Sequence, residues 1–302
     1  MELVEKINRL KKERNAVILA HNYQIPEVQD LADYVGDSLG LSVQASKTRA
    51  DVIVFCGVTF MAETAKILSP DRTVLIPDEK AGCPMADMIT ADQLRDLKAQ
   101  HPRAKVLCYV NTTAAVKAEC DVCCTSGNAE QVVRKSFLSD DEIIFAPDQY
   151  LAHYVSTRVG RDFITWKGFC PTHARILPED ILSQKARHPE AKVMAHPECS
   201  AGVIELADEV LSTGGMLRYA RETNEQAFIV GTEIGILHRL KKENPDKTFY
   251  PASERAVCPN MKLTTLEKVL WSLEEMRHEV TVPSDIMNQA RKSLQRMLDY
   301  RV

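Results

Sequence analysis

The sequence lacks the features that would place it in a membrane, outside the cell or on nucleic acid. It has no run of about 18 apolar residues, and its charged beginning has neither the apolar core nor the cleavage site of a signal peptide. Positive charge is not in excess, because 38 Lys and Arg residues are scattered among 42 Asp and Glu residues. No basic face is therefore expected for a phosphate backbone. These absences predict a cytoplasmic protein without a membrane or nucleic-acid partner.

Other common signatures are missing as well. The chain has no low-complexity segment or flexible linker, and Gly214-Gly215 lacks the G-x-G-x-x-G pattern, so dinucleotide binding has no support. Nine is an odd number of cysteines, and no export signal precedes them. A disulfide framework is therefore not expected, and the thiols point to metal or redox chemistry.

Three of the cysteines precede a proline, and they are evenly spaced. Cys83, Cys170 and Cys258 are separated by 87 and 88 residues, and none of the other six cysteines precedes a proline. Two further sets have almost the same spacing. The polar residues that end the first predicted strand of each copy are His21, Tyr109 and His196. The hydroxyl residues that follow a predicted helix break are Ser38, Ser126 and Thr213. Three sets in one register predict three copies of one structural unit.

Each copy alternates strands with helices. In the first copy, apolar runs at 16–20, 51–56 and 73–76 are typical of buried parallel strands. Helices are predicted from Pro26 to about Val35, over 39–48 and over 60–68. Alternating strands and helices with short loops form parallel sheets that are covered on both faces. We predict an α/β fold with three pseudo-threefold-related αβα units, each with a small parallel sheet, around a central active site.

The predicted units meet near the Cys-Pro pairs. The first unit comprises residues 1–86 plus 262–302, the second 87–173 and the third 174–261. Capping-box spacings begin helices at Thr90 and Thr264, and a final amphipathic helix is predicted over 284–300. No fourth unit follows Cys258, so the helix that starts near Thr264 is expected to pack back on the first unit.

The repeated polar residues are expected to share one cavity, because parallel sheets bind ligands beyond the carboxyl ends of their strands. Three single cysteines from distant segments differ from the paired ligands of structural zinc sites. A [4Fe–4S] cluster held by three thiolates would leave one iron open as a Lewis acid. Catalytic zinc, or reduced cysteines that only fill the core, remain alternatives.

The six other cysteines lie outside this register and need a separate interpretation. Cys120, Cys123 and Cys124 contain one Cys-x₂-Cys spacing, which fits a redox pair or half of a zinc site. No second pair accompanies it, so a structural or incidental role is favoured. Cys56, Cys108 and Cys199 lie in or just after predicted strands, where a packing role is expected.

Glu198 is the one carboxylate among the strand-end positions, and a carboxylate near an open metal is a candidate general acid or base. The strand-end residues His21, Tyr23, Tyr109, Asn111 and His196 are expected to line the cavity with it. The hydroxyl residues of the third set are expected to cap helices, to bind an anion at the helix starts, or to do both, since the two roles are compatible.

At these residues the chain closely resembles the quinolinate synthase A family, the iron–sulfur enzymes of de novo NAD biosynthesis. The resemblance covers nearly the whole chain. It is carried by His21-Asn-Tyr23, Gly36-Asp37-Ser38, Tyr109-Val-Asn111, Thr125-Ser-Gly-Asn128, Gly168-Phe-Cys170-Pro-Thr-His173, His196-Pro-Glu198, Ser212-Thr213-Gly214 and Cys258-Pro-Asn-Met261.

The resemblance implies condensation of iminoaspartate with dihydroxyacetone phosphate to quinolinate, with loss of phosphate and water. It also implies a functional link to an enzyme that oxidises L-aspartate. Its implied cluster ligands are Cys83, Cys170 and Cys258. Its implied proton-transfer residues are Glu198, Tyr23 and Tyr109. The implied substrate-binding residues are His21, His196, Ser38, Ser126 and Thr213 for the carboxylates, with Asn111 and His173 for positioning.

The chain departs from some longer family members, which carry a Cys-x₂-Cys-x₂-Cys run at the third ligand. Here Cys258 is followed by Pro, Asn and Met261 without a nearby thiol, so a disulfide switch is not expected at this site. A disulfide between Cys120 and Cys123 stays an open alternative. Two other functions compete with the synthase: an iron–sulfur or zinc sensor that changes partner affinity on oxidation, and a zinc hydrolase with Glu198 as base. Three matched anion sites favour an enzyme over a sensor.

Overall fold

The strands of the computed structural model, which describes residues 2–300, form three separate four-stranded sheets. All strand pairs within these sheets are parallel. Numbered in chain order within each sheet, the four strands lie side by side in the order 2-1-3-4, so the three sheets have the same topology. The predicted α/β fold with three repeated αβα units is confirmed.

The elements follow one another in the same order around each sheet. The first sheet and its helices are α1 (Glu2–Glu13), β1 (Ala16–His21), α2 (Pro26–Leu31), β2 (Tyr34–Gly36), α3 (Ser38–Lys47), β3 (Val52–Cys56), α4 (Thr59–Leu68) and β4 (Thr73–Leu75). The second group is α5 (Ala91–Gln100), β5 (Lys105–Tyr109), α6 (Ala114–Ala118), β6 (Val122–Cys124), α7 (Ala129–Ser136), β7 (Ile143–Ala146), α8 (Gln149–Val159) and β8 (Ile164–Thr165). The third group is α9 (Pro178–Arg187), β9 (Lys192–Ala195), α10 (Ala201–Glu205), β10 (Glu209–Val210), α11 (Thr213–Glu222), β11 (Ala227–Gly231), α12 (Ile236–Glu243) and β12 (Thr248–Pro251).

One strand of each sheet was not predicted. β2, β6 and β10 are edge strands of only two or three residues, too short to give a periodic apolar pattern. The predicted extension of the second helix to Val35 is therefore wrong. α2 ends at Leu31, and the chain enters β2 at Tyr34.

A repeated aspartate joins each edge strand to the sheet. It precedes the edge strand, and its side chain accepts a hydrogen bond from a backbone N–H of the central strand at 2.7–2.8 Å. The three pairs are Asp33 with Ile18, Asp121 with Val106 and Asp208 with Val193. These aspartates share the 88- and 87-residue spacing, so the repeat extends to a set that the sequence analysis missed.

The two C-terminal helices, α13 (Leu266–Glu275) and α14 (Ser284–Leu298), connect the repeats. α13 packs against α1 and β3, which confirms its predicted return to the first unit. α14 packs against α6 and β6 of the second group and α4 of the first. The division of the chain into three domains at residues 86, 173 and 261 stays a prediction.

The two predicted capping boxes have different outcomes. Thr90 caps α5, and its backbone N–H donates to the Gln93 side chain at 2.9 Å, as expected. The box at Thr264 is wrong by one residue, because Thr265 is the residue whose hydroxyl accepts from the Lys268 N–H. Thr264 is instead fully buried.

A single hydrophobic cluster extends over all three sheets, with Leu19, Val106 and Phe228 as members from the three central regions. The sheets therefore pack on one another rather than being joined only by loops. Among residues 2–300, no helix combines the length and the apolar character that crossing a membrane requires.

Candidate active site

A cavity of about 170 Å³ lies at the carboxyl ends of the strands, where the three groups of elements meet. Every side chain that the sequence analysis proposed for the site lines this cavity. These residues are His21, Tyr23, Ser38, Cys83, Tyr109, Asn111, Ser126, Cys170, His173, His196, Glu198, Thr213 and Cys258. They come together because equivalent positions of three like units face one point.

The three cysteine loops are fixed in the same way. The carbonyl two residues before each cysteine accepts a hydrogen bond at 2.8–3.0 Å from a backbone N–H just beyond the third strand of its unit. The donor–acceptor pairs are Thr59 to Ala81, Gln149 to Gly168 and Ile234 to Ala256. A 3₁₀ turn then follows each Cys-Pro pair, at Ala86–Met88, His173–Arg175 and Asn260–Lys262.

These turns also affect the thiols. They place the backbone N–H groups of Ala86, His173 and Met261, each three residues after a cysteine, where they lower the pKa of that cysteine. Burial raises the pKa of all three thiols, to about 12 for Cys83, and the N–H groups partly offset that rise. Donors aimed at sulfur stabilise a thiolate, which is the form that binds metal. The three cysteines therefore fit a metal or iron–sulfur group.

Glu198 lies at the centre of a buried polar network. Its Oε1 accepts a hydrogen bond from the Tyr109 hydroxyl, and its Oε2 lies 2.8 Å from Nδ1 of His173. The same His173 nitrogen lies 3.1 Å from the sulfur of Cys170. Cys170, His173 and Glu198 each offer one ligand atom, and these three atoms lie within 4.8 Å of one another. This spacing is compatible with metal binding.

Burial and charge set the protonation of this network. Burial alone would raise the pKa of Glu198, but the neighbouring His173 and His196 and the hydrogen bonds from His173 and Tyr109 bring it below its usual value. Burial lowers the pKa of His21 and of His196 to about 3, so both rings are neutral at pH 7. The site thus combines an ionised carboxylate with neutral imidazoles.

The hydroxyl groups of both tyrosines are protonated and lie in this network. Burial, followed by the charge of Glu198, raises the pKa of Tyr23 and of Tyr109 well above its ordinary value, so both phenols keep their protons. The Tyr23 hydroxyl lies 2.6 Å from Oγ1 of Thr232, which lies 2.8 Å from Nε2 of His173. Tyr23 is therefore connected to Glu198 through Thr232 and His173.

The helix-start hydroxyls do not cap their helices. α3 is capped by Asp37, which accepts from the Gly40 N–H, and α11 is capped by Ser212, which accepts from the Gly215 N–H. The capping alternative for Ser38 and Thr213 is therefore wrong. Each stands one residue after the cap and presents its hydroxyl to the cavity.

The middle hydroxyl also departs from the capping geometry. α7 begins at Ala129, after Ser126, and the Ser126 hydroxyl lies 3.1 Å from Nε2 of His196. The corresponding hydroxyl of Thr213 accepts a hydrogen bond from the Asn22 side chain at 3.1 Å. Both contacts join neighbouring units of the repeat, so the hydroxyls form part of the cavity wall.

A family model described as quinolinate synthetase A protein matches residues 5–299 of the chain. The chain belongs to the quinolinate synthetase A family. The resemblance that the sequence motifs indicated is confirmed.

Relatives named quinolinate synthase match almost the full length of the chain. It is 58% identical to that of Dehalococcoides mccartyi strain CBDB1 over 293 residues, which cover 97% of this chain and 96% of that protein. It is 55% identical to that of Methanosarcina barkeri strain Fusaro over 301 residues, which cover 100% of this chain and 98% of that protein. It is 51% identical to that of Alkaliphilus metalliredigens strain QYMF over 300 residues, which cover 99% of this chain and 98% of that protein.

This member of the quinolinate synthetase A family has further polar residues at its site, which sequence reasoning missed. Thr232 connects Tyr23 with His173, and Glu233 lines the cavity with no exposed surface. Among residues 2–300, Arg175 is the one cationic side chain in the cavity lining. Glu233 could have been found as a carboxylate that follows an apolar strand, but Thr232 and Arg175 carry no distinguishing pattern.

The cysteines of this family member that do not belong to the threefold set lie away from the cavity. Cys108 and Cys123 are direct neighbours across β5 and β6, and the Cys120 sulfur donates to the Val116 carbonyl at 3.0 Å. Cys124 is fully buried, and all three close cysteines are free thiols. Burial raises the pKa of Cys120, Cys123 and Cys124. These contacts support the structural role expected for them.

Proposed function

We propose that the chain is a quinolinate synthase of NAD biosynthesis, which condenses iminoaspartate with dihydroxyacetone phosphate. The reaction yields quinolinate, one phosphate and two waters, and it is redox-neutral because all atoms of the two substrates appear in these products. The observation that carries the proposal is the family match over residues 5–299. The cavity lined by all thirteen expected side chains supports it.

Cys83, Cys170 and Cys258 would hold the [4Fe–4S] cluster. Three thiols on one cavity, each with a backbone N–H that lowers its pKa, suit a cluster with three protein ligands. When bound, the cluster supplies an open iron that acts as a Lewis acid for the dehydration steps. A zinc ion on Cys170, His173 and Glu198 is the competing arrangement, but it leaves Cys83 and Cys258 on the cavity wall without a use.

The remaining side chains divide between binding and proton transfer. The Ser38, Ser126 and Thr213 hydroxyls, with the neutral rings of His21 and His196, would donate hydrogen bonds to substrate carboxylates. Ser38 and Thr213 are also the first residues of α3 and α11, where free backbone N–H groups and the helix dipole favour a negatively charged ligand. Asn111 and His173 would position the substrate, since both face the same cavity.

Glu198 would take and return protons, because it is ionised, buried and in contact with two groups that can exchange protons with it. Tyr109 donates directly to Glu198, and Tyr23 reaches it through Thr232 and His173. These three residues would move the protons that accompany each loss of water.

Iminoaspartate must come from an enzyme that oxidises L-aspartate, which makes such an enzyme the expected functional partner. The test is an anaerobic reaction that contains the purified protein, an L-aspartate-oxidising enzyme, L-aspartate and dihydroxyacetone phosphate. We expect quinolinate and phosphate in equal amounts, and neither in the absence of the triose phosphate. A cluster-loaded protein that forms no quinolinate would reject the synthase and favour the sensor alternative.

A further inference from the structure

Two buried carboxylates occupy the same place in two of the three units. Asp148 stands two residues after the end of β7, and Glu233 stands two residues after the end of β11. Both side chains are completely buried. The corresponding residue after β3 is Val58, which lines the cavity as an apolar side chain. Two of the three units thus have a buried carboxylate at this position, and the first unit has an apolar side chain instead.

Glu233 ties together the third cysteine loop and the start of α12. Its Oε1 accepts a hydrogen bond from the backbone N–H of Cys258 at 3.1 Å, and its Oε2 accepts from the Gly235 N–H at 2.7 Å. Nζ of Lys262 lies 2.8 Å from Oε1 and also donates to the Tyr23 carbonyl. One buried ion pair thus connects Cys258 with the strand end that carries Tyr23.

Asp148 has the equivalent position beside the second cysteine loop. Its Oδ1 caps α8 by accepting from the N–H groups of Tyr150 and Leu151 at 2.9 and 2.8 Å. The Asp148 backbone also forms an isolated parallel bridge with Gly168, two residues before Cys170, so the capped strand end lies against the second cysteine loop. Among residues 2–300, Oδ2 has no hydrogen-bond partner.

The first cysteine loop is held without a carboxylate. There the Thr59 hydroxyl donates to the Ala81 carbonyl at 3.1 Å, in addition to the backbone bond from the same residue. A buried backbone N–H requires an acceptor, and a buried carboxyl group is costly unless its hydrogen bonds repay the burial. Of the three cysteine loops, only those of Cys170 and Cys258 have such a buried carboxyl group beside them.

We propose that Asp148 and Glu233 are positioning residues that fix the backbone of Cys170 and Cys258 so that both sulfurs face the cluster. The proposal rests on the proposed function, because it assigns the two carboxylates to the cluster of that site. Neither carboxylate needs to touch substrate. Outer hydrogen bonds of this kind orient metal ligands and typically change metal affinity by about 10- to 100-fold.

The test compares Glu233→Gln with Glu233→Leu, and Asp148→Asn with Asp148→Leu. Within each pair both variants remove the carboxylate, but only the amide keeps an oxygen that accepts the loop hydrogen bonds. We expect the leucine variants to release iron to a chelator at least about tenfold faster than wild type, under anaerobic conditions. The amide variants are expected to lie closer to wild type. Among residues 2–300, Asp148 forms no ion pair with a lysine, so its two variants report the loss of the hydrogen-bond acceptor alone.

Asp208→Asn and Asp208→Leu provide the matched control. Asp208 also accepts a backbone N–H, at 2.8 Å from Val193, but at the start of β9 rather than at a cysteine loop. Its variants should release iron at the wild-type rate even if they melt at a lower temperature. Circular dichroism establishes that each protein is folded before iron release is measured.

A second measurement does not depend on the cluster. In the metal-free proteins, amide hydrogen exchange of the segments around Cys170 and Cys258 should accelerate in the matching leucine variant and remain unchanged around Cys83. Unchanged exchange together with wild-type iron release, or equal iron release from the amide and leucine variants, would overturn the proposal. A wild-type protein that holds no iron–sulfur cluster would instead reject the proposed function.

Discussion

Glu198 is the residue on which the proposed chemistry depends most. The Tyr109 hydroxyl and the His173 ring contact its two oxygens. Burial alone would raise the pKa of this carboxyl group, but the neighbouring His173 and His196 and these two hydrogen bonds hold it below the usual value. A carboxylate in this state can accept a proton from substrate and return it to a leaving group. The proposed proton transfer therefore requires the carboxylate of Glu198 and not only a side chain of the same volume.

Replacement of Glu198 by Gln should remove proton transfer while it preserves size and hydrogen bonding. We expect the variant to retain its iron and sulfide but to lose about 100-fold or more of its quinolinate formation, the usual effect of a general acid–base residue. The measurement is the turnover rate per bound cluster. Glu205→Gln, on the exposed surface of α10, is the control and should keep full activity. Unchanged turnover in Glu198→Gln would remove this residue from the mechanism.

At the residue scale, the repeating register predicted three sets of site residues, although it left the equally spaced Asp33, Asp121 and Asp208 unnoticed. The three cysteines, the three strand ends and the three hydroxyls share one spacing, and all of them face the cavity. Thr232 and Glu233 could not be found this way, because they have no counterparts of the same type in the other units. Their roles depend on contacts between segments that are distant in sequence, such as Glu233 with Cys258.

At the scale of elements, different residues cap the helix and line the cavity at the starts of α3 and α11. The capping residues Asp37 and Ser212 bond to their own helices, and the next residues, Ser38 and Thr213, face the cavity. Sequence patterns place a helix start only within a few residues, so the analysis could not decide which of two adjacent polar residues was the cap. The short edge strands β2, β6 and β10 were missed for a related reason, since two or three residues show no period.

Two serine-to-alanine variants test this separation with the same chemical change. Ser212→Ala removes a cap and should lower the free energy of unfolding by about 1 kcal/mol, with little change in KM. Ser38→Ala should leave the unfolding free energy within about 0.5 kcal/mol of wild type. It should raise KM for the dicarboxylate substrate about tenfold, because a hydrogen bond to a charged group is lost. Denaturant unfolding and steady-state kinetics measure the two effects, and the reverse pattern would contradict these assignments.

At the scale of the whole molecule, the site exists only because three units converge. Each cysteine lies on a loop of a different unit, and each loop is tied to the end of its own third strand by an equivalent backbone hydrogen bond. The hydrophobic cluster that spans the three sheets holds these loops against one another. Parallel topology and the strand-end location followed from the sequence pattern, whereas the bridging position of α14 depends on packing that local sequence does not encode.

The central claim is that three thiolates, one from each unit, hold a four-iron cluster with one open iron. Its most direct test is the iron and acid-labile sulfide content of anaerobically purified wild type and of single Cys→Ser variants. We predict about four iron and four sulfide per chain in wild type, with visible absorption. The content should fall in the Cys83, Cys170 and Cys258 variants and be retained in the Cys120 and Cys123 variants. A colourless, fully active protein with one zinc, or loss of iron in the Cys120 or Cys123 variant, would contradict the claim.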